Sequence, residues 1–566
     1  IAFDLNCCLA HHTRQSGLFT CLIGVTESTF APTLFLLLTS QAICLTLAVP
    51  LKTRVLFRAI SVCMDDLPEN PTTVAGGISL LDEDLLQNIL EKLPAKSFAS
   101  AACVNRSWNG TCGRILSHPK LCSAVSFNPS VPDAMNQVVG KVLLGPIQPH
   151  FAILSICPSI DLDEAHRLIT AKLGSSIPII TCTPAGIIGR DALTDRFAEV
   201  KFPYFDVENL VDLPEGCGIS LTVGYVPGLK VDAIPQPRIE QGHGIDKFVM
   251  DISDYSVSVS GCKSPEAIIM FADSQADMKP ALQKMDCAFS KRTVIAGNEG
   301  CNFRYGSINK PSITSTCPGR LGLADDAVAL VFVRDKKLNG LGQIEFHFSV
   351  GTGVRPMGPT YKVASAKMRS REFATWLTAR RQGQNETLDG QQMLEDVDME
   401  MFDSDVYIGV TKRRKCPIGL EKARPVTSLV YHLVQDADEE YLYVCGLDIK
   451  TGDTFRFYVP DPELALPSSE TVSQEFAQLK HKEIIGGFIF TCCGRGAPFF
   501  ARPNIDSSPI LDNFPFIPIS GMFCGGEIGR GPSVSGNSDG GQEQSFLHVY
   551  SSVYLLLSYS PPPLRA

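Results

Sequence analysis

The 566-residue sequence lacks the short patterns that would identify a metalloprotein or a nucleotide-binding enzyme directly. It contains no C-x-x-C pair and no H-x₃₋₅-H pair, so the usual ligand spacing of a structural zinc site is missing. It also contains no G-x-x-x-x-G-K-[ST] loop, and the turn at 297–300 is not a dinucleotide fingerprint. No L-x-x-L-x-L-x-x-N repeat is present. We therefore expect no metal ion and no cofactor.

A surplus of basic residues is also missing, because the net charge is −10. The basic clusters at 412–415 and 380–381 are short and are typical of solvated faces, so we expect no nucleic-acid partner. The 20 cysteines are spread over the whole length rather than concentrated in a short segment. This distribution predicts reduced, mostly buried thiols in an intracellular protein, located in the cytoplasm, the nucleus or both.

The first 63 residues differ from the rest of the chain. The sequence begins with Ile1, its first methionine is Met64, and an apolar run at 33–49 is interrupted by polar residues at 39–41. That run is at the short limit for a membrane-spanning helix, and no basic start or clear cleavage site precedes it. A natural start at Met64 is the preferred explanation, against a membrane anchor or organelle signal and against a genuine, poorly ordered extension. We expect residues 1–78 to be a non-native or disordered extension and a membrane association to be absent.

A short helical module is predicted at 79–125. Asp82 can cap a first helix, whose apolar stripe ends at Pro94, and Ser97 and Val104 begin two further helices. The stripe consists of Leu85, Leu86, Ile89, Leu90 and Leu93. The module is too short to bury both this stripe and a tryptophan without help from another surface. We therefore expect part of its apolar surface to contact a partner.

The spacing of apolar residues in this module resembles the F-box, which docks the SKP-type adaptor of cullin–RING ubiquitin ligases. The residues that carry the resemblance, and that it implies for adaptor binding, are Leu81, Leu85, Ile89, Leu93, Pro94, Val104 and Trp108. The module departs from the family pattern at Asp82, where proline is usual, and at Asn105, where cysteine is common. Neither departure removes an apolar anchor.

From about residue 140 the pattern changes to alternating strands and helices, which predicts an α/β (α+β) fold with helices packed on sheets. Strands are predicted at 150–156, 177–182, 267–271, 293–297 and 327–333, with helices at 161–173 and 275–284. Further on, a boundary is predicted at 345–364 and a helix at 370–381, followed by an exposed acidic stretch at 383–405. A hairpin is predicted from 441–445 and 454–459, then a helix at 472–479 and strands at 487–491 and 546–558.

This remainder resembles the FIST module, a sensory domain found with F-boxes in eukaryotes. The segments that carry the resemblance are PIITCTPAGIIG (178–189), SVGTGVRPMGPTYKV (349–363), FTCCGRG (490–496), GMFCGGEIG (521–529) and SFLHVYSSV (545–553). The resemblance implies an F-box at 79–125, a FIST N-terminal domain at 140–345 and a FIST C-terminal domain at 346–560. It also implies a plant F-box–FIST protein of the type sometimes labelled F-box/LRR-repeat.

The FTCCGRG segment offers several site chemistries. Cys492 and Cys493 are either buried structural thiols, a pocket wall with one reactive cysteine, or, as the least favoured alternative, a catalytic or metal site. Arg495 between two glycines is suited to bind a carboxylate or phosphate, or else forms a buried salt bridge, with Glu527 as one candidate. FIST modules are proposed to bind small ligands, so the resemblance implies a ligand pocket. Its expected residues are Cys492, Arg495, Gly525, Gly526, Glu527 and His548.

Together these features favour a non-catalytic substrate-recognition subunit of an SCF-type E3 ubiquitin ligase. Its expected partners are the SKP-type adaptor, the cullin and RING proteins reached through it, an unidentified protein substrate, and a possible small molecule. Two alternatives stay open: a ligand-sensing signalling protein, which includes a membrane-anchored form, and a cysteine-dependent enzyme with Cys492, or else Cys493, as its nucleophile.

Overall fold

The computed structural model describes residues 34–39, 42–47, 82–202, 218–238, 243–306, 325–338, 341–396, 405–416, 424–532 and 546–562. The chain divides into two compact units, residues 1–86 and 87–566. In the first unit, β1 (Leu34–Thr39) and β2 (Ala42–Leu47) form an antiparallel pair, so this part of the apolar run is strand rather than a spanning helix. The rest of the predicted extension lies outside the described residues. None of the described helices is long and apolar enough to cross a membrane.

Three short helices occupy the predicted helical module: α1 (Glu83–Leu90), α2 (Ala95–Ala102) and α3 (Arg106–Ile115). Pro94 lies immediately before α2, and the Oδ1 atom of Asn105 accepts a hydrogen bond of 2.9 Å from the backbone N–H of Trp108 at the start of α3. The predicted apolar stripe of α1 divides between two environments, because Leu86 and Leu90 are buried whereas Leu85 is exposed. Helix α1 also ends at Leu90, three residues earlier than predicted.

The first set of strands and helices begins after this module. Its elements are β3 (Lys120–Ser126), α4 (Val131–Val142), β4 (Phe151–Ile156), α5 (Leu162–Leu173), β5 (Ile179–Thr183), β6 (Gly186–Arg190), β7 (Phe197–Lys201) and β8 (Ile219–Tyr225). The side chains of Ser130 and Asp161 cap α4 and α5. All six residues of β4 are buried, as expected for a central strand covered on both faces.

The second set repeats this order. Its elements are β9 (Leu229–Pro237), α6 (His243–Ser260), β10 (Ala267–Ala272), α7 (Lys279–Ala288), β11 (Val294–Glu299), β12 (Asn302–Gly306) and β13 (Asp325–Arg334). The strands predicted at 267–271, 293–297 and 327–333 are therefore present. Helix α7 begins four residues after the predicted start at residue 275, with Pro280 in its first turn, where proline costs no hydrogen bond.

The third set is interrupted by an inserted group of strands. It begins with β14 (Gln343–Gly351). The inserted elements are β15 (Val354–Arg369), β16 (Ala374–Arg381), α8 (Gly390–Leu394), β17 (Tyr407–Cys416), β18 (Arg424–Ala437), β19 (Leu442–Cys445) and β20 (Thr454–Pro460). The set then continues with α9 (Pro462–Ala477), β21 (Glu483–Cys492), α10 (Ala497–Phe500), α11 (Ser508–Leu511), β22 (Ile519–Cys524), β23 (Gly526–Arg530), β24 (Leu547–His548) and β25 (Ser552–Ser560).

The three sets exchange strands in a cycle. The sheets have the orders β12-β5-β4-β8-β3, β24-β23-β11-β10-β13-β9 and β7-β6-β22-β21-β25-β14. In each sheet one central pair is parallel, namely β4 with β5, β10 with β11, and β21 with β22, and the flanking pairs are antiparallel. Strand β6 of the first set thus pairs in the third sheet, β12 of the second pairs in the first, and β23 of the third pairs in the second. Each sheet is completed by a strand from another set.

The inserted strands close into a six-stranded barrel of order β15-β16-β19-β18-β17-β20. This arrangement corrects two predictions. The segment at 370–381 forms a turn and strand β16 instead of a helix, because its side chains alternate between the barrel interior and exterior. The segments at 441–445 and 454–459 are strands but not a hairpin, since β19 pairs with β16 and β18 whereas β20 pairs with β15 and β17.

Among the described residues, the cysteines are mostly free thiols, as the sequence predicts. Cys112, Cys157, Cys182, Cys301, Cys492 and Cys524 are buried and free. Cys182, Cys301 and Cys524 belong to one apolar core that joins the three sheets. Cys287 departs from the prediction, because it is disulfide-bonded.

Candidate functional site

The FTCCGRG segment lies where β21 leaves its sheet. The backbone N–H of Cys492 donates to the carbonyl of Ser551 at 2.9 Å, and that of Cys493 donates to the carbonyl of Cys524 at 2.8 Å. Gly494 is required here, because a Cβ atom would lie 2.6 Å from the ring of Tyr550. The chain therefore turns sharply and carries Arg495 inward.

Arg495 is completely buried and paired with an acid that sequence reasoning did not identify. Its Nε donates to Oδ1 of Asp506 at 2.8 Å, both side chains are 0 % exposed, and its Nη1 donates to the carbonyl of Tyr550 at 2.9 Å. The guanidinium also lies 5.0 Å from the ring centroid of Phe500. The salt-bridge alternative for Arg495 is therefore the one observed, with Asp506 in place of Glu527 as its partner.

Each member of this ion pair has one polar atom without a hydrogen-bond partner among the described residues. Asp506 Oδ1 accepts a second hydrogen bond, of 2.7 Å, from the hydroxyl of Ser552, but its Oδ2 and the Nη2 of Arg495 have no hydrogen-bond partner in the described part of the chain. Glu199 lies beside them, and its Oε1 accepts from the backbone N–H of Ser507 at 2.8 Å. Burial, reinforced by the Asp506 charge, raises the pKa of Glu199 to about 7.

Glu527 is buried on the other side of the segment at 550–551. Its Oε2 accepts hydrogen bonds from the backbone N–H of Ser551 at 3.2 Å and from its hydroxyl at 3.0 Å. Its Oε1 has no partner among the described residues, and complete burial raises the pKa of Glu527 well above its ordinary value. Glu527 therefore faces the cysteines, and the peptide between Tyr550 and Ser551 separates it from Arg495.

The two adjacent thiols differ in exposure and acidity. Cys492 is buried, and its hydrogen bond to Cys493, burial and the nearby Glu527 together raise the pKa of Cys492 well above its ordinary value. Cys493 is exposed, and the same hydrogen bond together with Lys201 lowers the pKa of Cys493 to about 7. Cys493 is thus the more acidic thiol of the two, and Cys492 the less acidic.

The remaining predicted pocket residues lie apart from Arg495. A Cβ atom on Gly525 would lie 3.1 Å from the carbonyl oxygen of Glu299, and one on Gly526 would lie 3.0 Å from the carboxylate of Glu299. Both glycines thus pack on the turn after β11. His548 pairs with Glu527 across strands β23 and β24, and its Nε2 lies 3.0 Å from the carbonyl oxygen of Gly529. The six predicted residues therefore do not line a single pocket. They form two separate groups, one around Arg495 and one around Glu527.

Sequence reasoning missed the charged residues that lie beside Arg495 and Cys493. Glu199 and Lys201 come from β7 of the first set, while Asp506 lies between α10 and α11. No local motif marks them, because the strand exchange that brings β6 and β7 into the third sheet is invisible in one sequence. The described residues contain no group of three or more His, Cys, Asp or Glu side chains placed to hold a metal ion.

The predicted adaptor-binding residues are largely accessible. Leu85 is 50 % exposed and Val104 is 56 % exposed, and Pro94 is exposed as well. Ile89, Leu93 and Trp108 are half-buried. Leu81 lies outside the described residues. Exposed apolar side chains at these positions leave surface for a partner.

Comparison with known proteins identifies three family models along the chain. An F-box domain matches residues 78–118, a FIST N domain matches 150–371 and a FIST C domain matches 391–530. An F-box/LRR-repeat protein of Arabidopsis thaliana is 41% identical over 505 residues, which cover 85% of this chain and 94% of the relative. Human F-box only protein 22 is 31% identical over 77 residues, covering 12% of this chain and 19% of its own. An uncharacterized protein of Mycobacterium tuberculosis is 35% identical over 84 residues, covering 15% and 22%.

Proposed function

This chain belongs to the family of F-box proteins that carry FIST N and FIST C domains, and from that premise we propose that it is the substrate-recognition subunit of an SCF-type E3 ubiquitin ligase. The observation that carries the proposal is the F-box match at 78–118, in which apolar side chains remain exposed. The F-box would dock the SKP-type adaptor, and the FIST domains would hold the protein to be ubiquitylated. Ubiquitin transfer itself would belong to the partner subunits.

Two exposed apolar residues support the adaptor contact. Leu85 on α1 and Val104 before α3 are each at least half exposed, although both are large aliphatic side chains. An apolar side chain that stays exposed in the free protein contributes to binding when a partner removes it from water. Leu86 and Leu90, by contrast, are buried in the free chain and are expected to serve stability.

The enzyme alternative with Cys492 as nucleophile is not favoured by the site. Cys492 is buried, and its pKa is raised by its hydrogen bond to Cys493, by burial and by Glu527. A cysteine nucleophile requires the opposite shift and an adjacent base. His548, the base considered for it, is turned toward the backbone carbonyl of Gly529. The pKa of Cys493 is lowered, but His548 is equally unavailable to it as a base, and with the F-box match we therefore propose a non-catalytic role.

Co-purification with the SKP-type adaptor tests the proposal. We expect the wild-type chain to retain the adaptor, and Leu85→Asp or Val104→Asp to lose it, because each places a charge in an apolar interface. Met250→Asp is the matched control, since Met250 is 62 % exposed on α6, outside the F-box. Unchanged thermal unfolding of all three variants would exclude a folding defect. Adaptor binding that survives both F-box substitutions would contradict the proposal.

A further inference from the structure

The outer surface of the barrel carries an aromatic cluster that the barrel core does not require. Trp376 on β16 lies beside two tyrosines, with ring centroids 5.1 Å from Tyr443 and 5.9 Å from Tyr441. All three rings are partly exposed. The inward positions that alternate with them, among them Leu377 and Val444, are fully buried and already fill the barrel. The three rings therefore add exposed apolar area rather than core packing.

Two cations lie on these rings. The guanidinium carbon of Arg369 is 4.1 Å from the ring centroid of Trp376, and Nζ of Lys367 is 4.3 Å from that of Tyr441. Both cations are exposed; Nζ of Lys367 also donates to the hydroxyl of Tyr441, and neither cation forms a salt bridge with a carboxylate among the described residues. We name this surface, formed by Lys367, Arg369, Trp376, Tyr441 and Tyr443, the aromatic face.

The strand register holds the aromatic face together. Lys367 of β15 is opposite Trp376 of β16, which in turn is opposite Tyr443 of β19. Directly opposed residues on one side of a sheet have Cβ atoms about 4.5 to 5.5 Å apart, so these side chains form one row across three strands. Because the barrel is closed, no free strand edge is offered, and a partner must contact side chains instead of extending the sheet.

Taken with the proposed function, on which this inference rests, the geometry points to the aromatic face as the docking site for the substrate protein. We propose that it binds a short substrate segment in which carboxylates flank an apolar or aromatic residue. Trp, Tyr and Arg are the residues that dominate binding energy at protein interfaces, and an arginine without a carboxylate partner attracts one from outside. The carboxylates would meet Arg369 and Lys367, and the apolar residue would pack on Trp376.

A single-stranded nucleic acid is the competing occupant, because bases also stack on exposed aromatic rings. Two observations disfavour it. The turn beside Tyr441 is acidic, with Asp436, Asp438, Glu439 and Glu440, and the whole chain carries a net charge of −10. The hydroxyl of Tyr443 also donates to Asp438 at 2.5 Å, which places a carboxylate at this edge of the aromatic face. A nucleic-acid backbone carries a charge at every nucleotide and would have to pass this edge, whereas a short peptide can place its few carboxylates at Arg369 and Lys367.

Peptide selection on the full chain bound to its adaptor tests the inference. Random short peptides displayed on phage would be selected on the wild type, and a peptide from the enriched set would be synthesised for fluorescence anisotropy. We expect enriched peptides to carry Asp or Glu beside an aromatic or aliphatic residue. Binding should weaken by about thirtyfold in Trp376→Ala and in Arg369→Glu. Trp376→Phe should recover part of the affinity, and Arg502→Glu, a charge reversal at an exposed arginine between α10 and α11, should leave it unchanged.

The outcomes separate the two proposals. If the adaptor co-purifies with every variant but the peptides bind Trp376→Ala as tightly as the wild type, the docking site is wrong and the ligase role stands. If the wild type itself fails to retain the adaptor, the proposed function is wrong. Enrichment of basic peptides, or Trp376-dependent binding of fluorescein-labelled oligothymidylate, would overturn the assignment of an acidic protein segment.

Discussion

Arg495 brings a permanent positive charge into the protein interior, and its environment shows why the sequence alone left its role open. The flanking glycines predict a close backbone approach to a ligand, whereas in the structure Gly494 lies against the ring of Tyr550 and the backbone that comes close to Arg495 is that of Gly353, where a Cβ atom would lie 2.7 Å from Nη1. The partner was not predictable, because Asp506 has no spacing relative to Arg495 that distinguishes it from other acids. A motif identifies the unusual residue, whereas the fold supplies the group that neutralises it.

Breaking this ion pair should be more harmful than replacing both partners. Arg495→Met leaves Asp506 charged and buried, and we expect a loss of about 3 to 5 kcal/mol in the free energy of unfolding. The double variant Arg495→Met with Asp506→Asn removes both charges and should recover a large part of that loss. Urea denaturation of the wild type, the two single variants and the double variant measures the coupling. Additive losses would show that the pair does not act as a unit.

The adjacent cysteines should differ in their reactivity toward iodoacetamide. The hydrogen bond with Cys492 and the nearby Lys201 lower the pKa of Cys493 to about 7, and with the exposure of Cys493 this predicts labelling whose rate rises through neutral pH with a midpoint near 7. Cys492 and Cys524 are buried thiols with raised pKa values and should stay unlabelled in the folded chain. Fragment-ion mass spectrometry assigns the label.

A Lys201→Met variant provides the control for this prediction. Because Lys201 stabilises the Cys493 thiolate, its removal should raise the labelling midpoint, while the exposed Cys103 and Cys262 should label as before. Labelling of Cys492 ahead of Cys493 would contradict the assignment.

At the scale of single elements, the helices of the F-box were more predictable than the strands of the barrel. Helix α3 begins at Arg106, within two residues of the predicted start at Val104, because capping side chains and apolar stripes are local signals. The segment at 370–381 contains good helix formers, which predict a helix. Its buried and exposed side chains nevertheless alternate with period two, which is typical of a strand. The predicted hairpin failed for a different reason, since barrel closure selected partners for β19 and β20 that are distant in sequence.

The cap of α3 should have a measurable effect. Asn105→Ala removes the acceptor for the N–H of Trp108, and we expect a cost of about 1 kcal/mol, felt as faster amide exchange in the first turn of α3. Asn105→Asp keeps the acceptor and should behave like the wild type. If Asn105→Ala leaves exchange in α3 unchanged, the cap does not stabilise the helix.

On the scale of the whole molecule, the cyclic strand exchange was beyond sequence reasoning. The βαβ units and the α/β class follow from periodicity, but the sheet in which β6, β12 or β23 is placed depends on contacts among three distant sets. The predicted boundary between residues 345 and 346 separates β6 and β7 from β21 and β22, with which they share a sheet.

This exchange predicts how fragments behave. Residues 119–341, which keep the first two sets whole and end before β14, should not fold cooperatively alone, because their sheets lack β23 and leave β6 unpaired with β22. Co-expression with residues 342–562 should restore a soluble complex. Residues 353–461 should fold alone, because the barrel is built from consecutive strands around its own core. Near-UV circular dichroism of the three preparations distinguishes these outcomes, and a natively folded 119–341 fragment would contradict the prediction.

The two chain connections between the barrel and the third set lie side by side. Val354 and Pro460 are opposite each other at the ends of β15 and β20, and the N–H of Asp461 donates to the carbonyl of Gly353 at 2.8 Å. Two chain ends held this close form a natural splice point, at which another folded module with adjacent termini can be inserted without disturbing β14 or α9. If the barrel selects the substrate, it is an exchangeable cassette, and replacing it with a chosen binding domain should redirect the ligase to a new target.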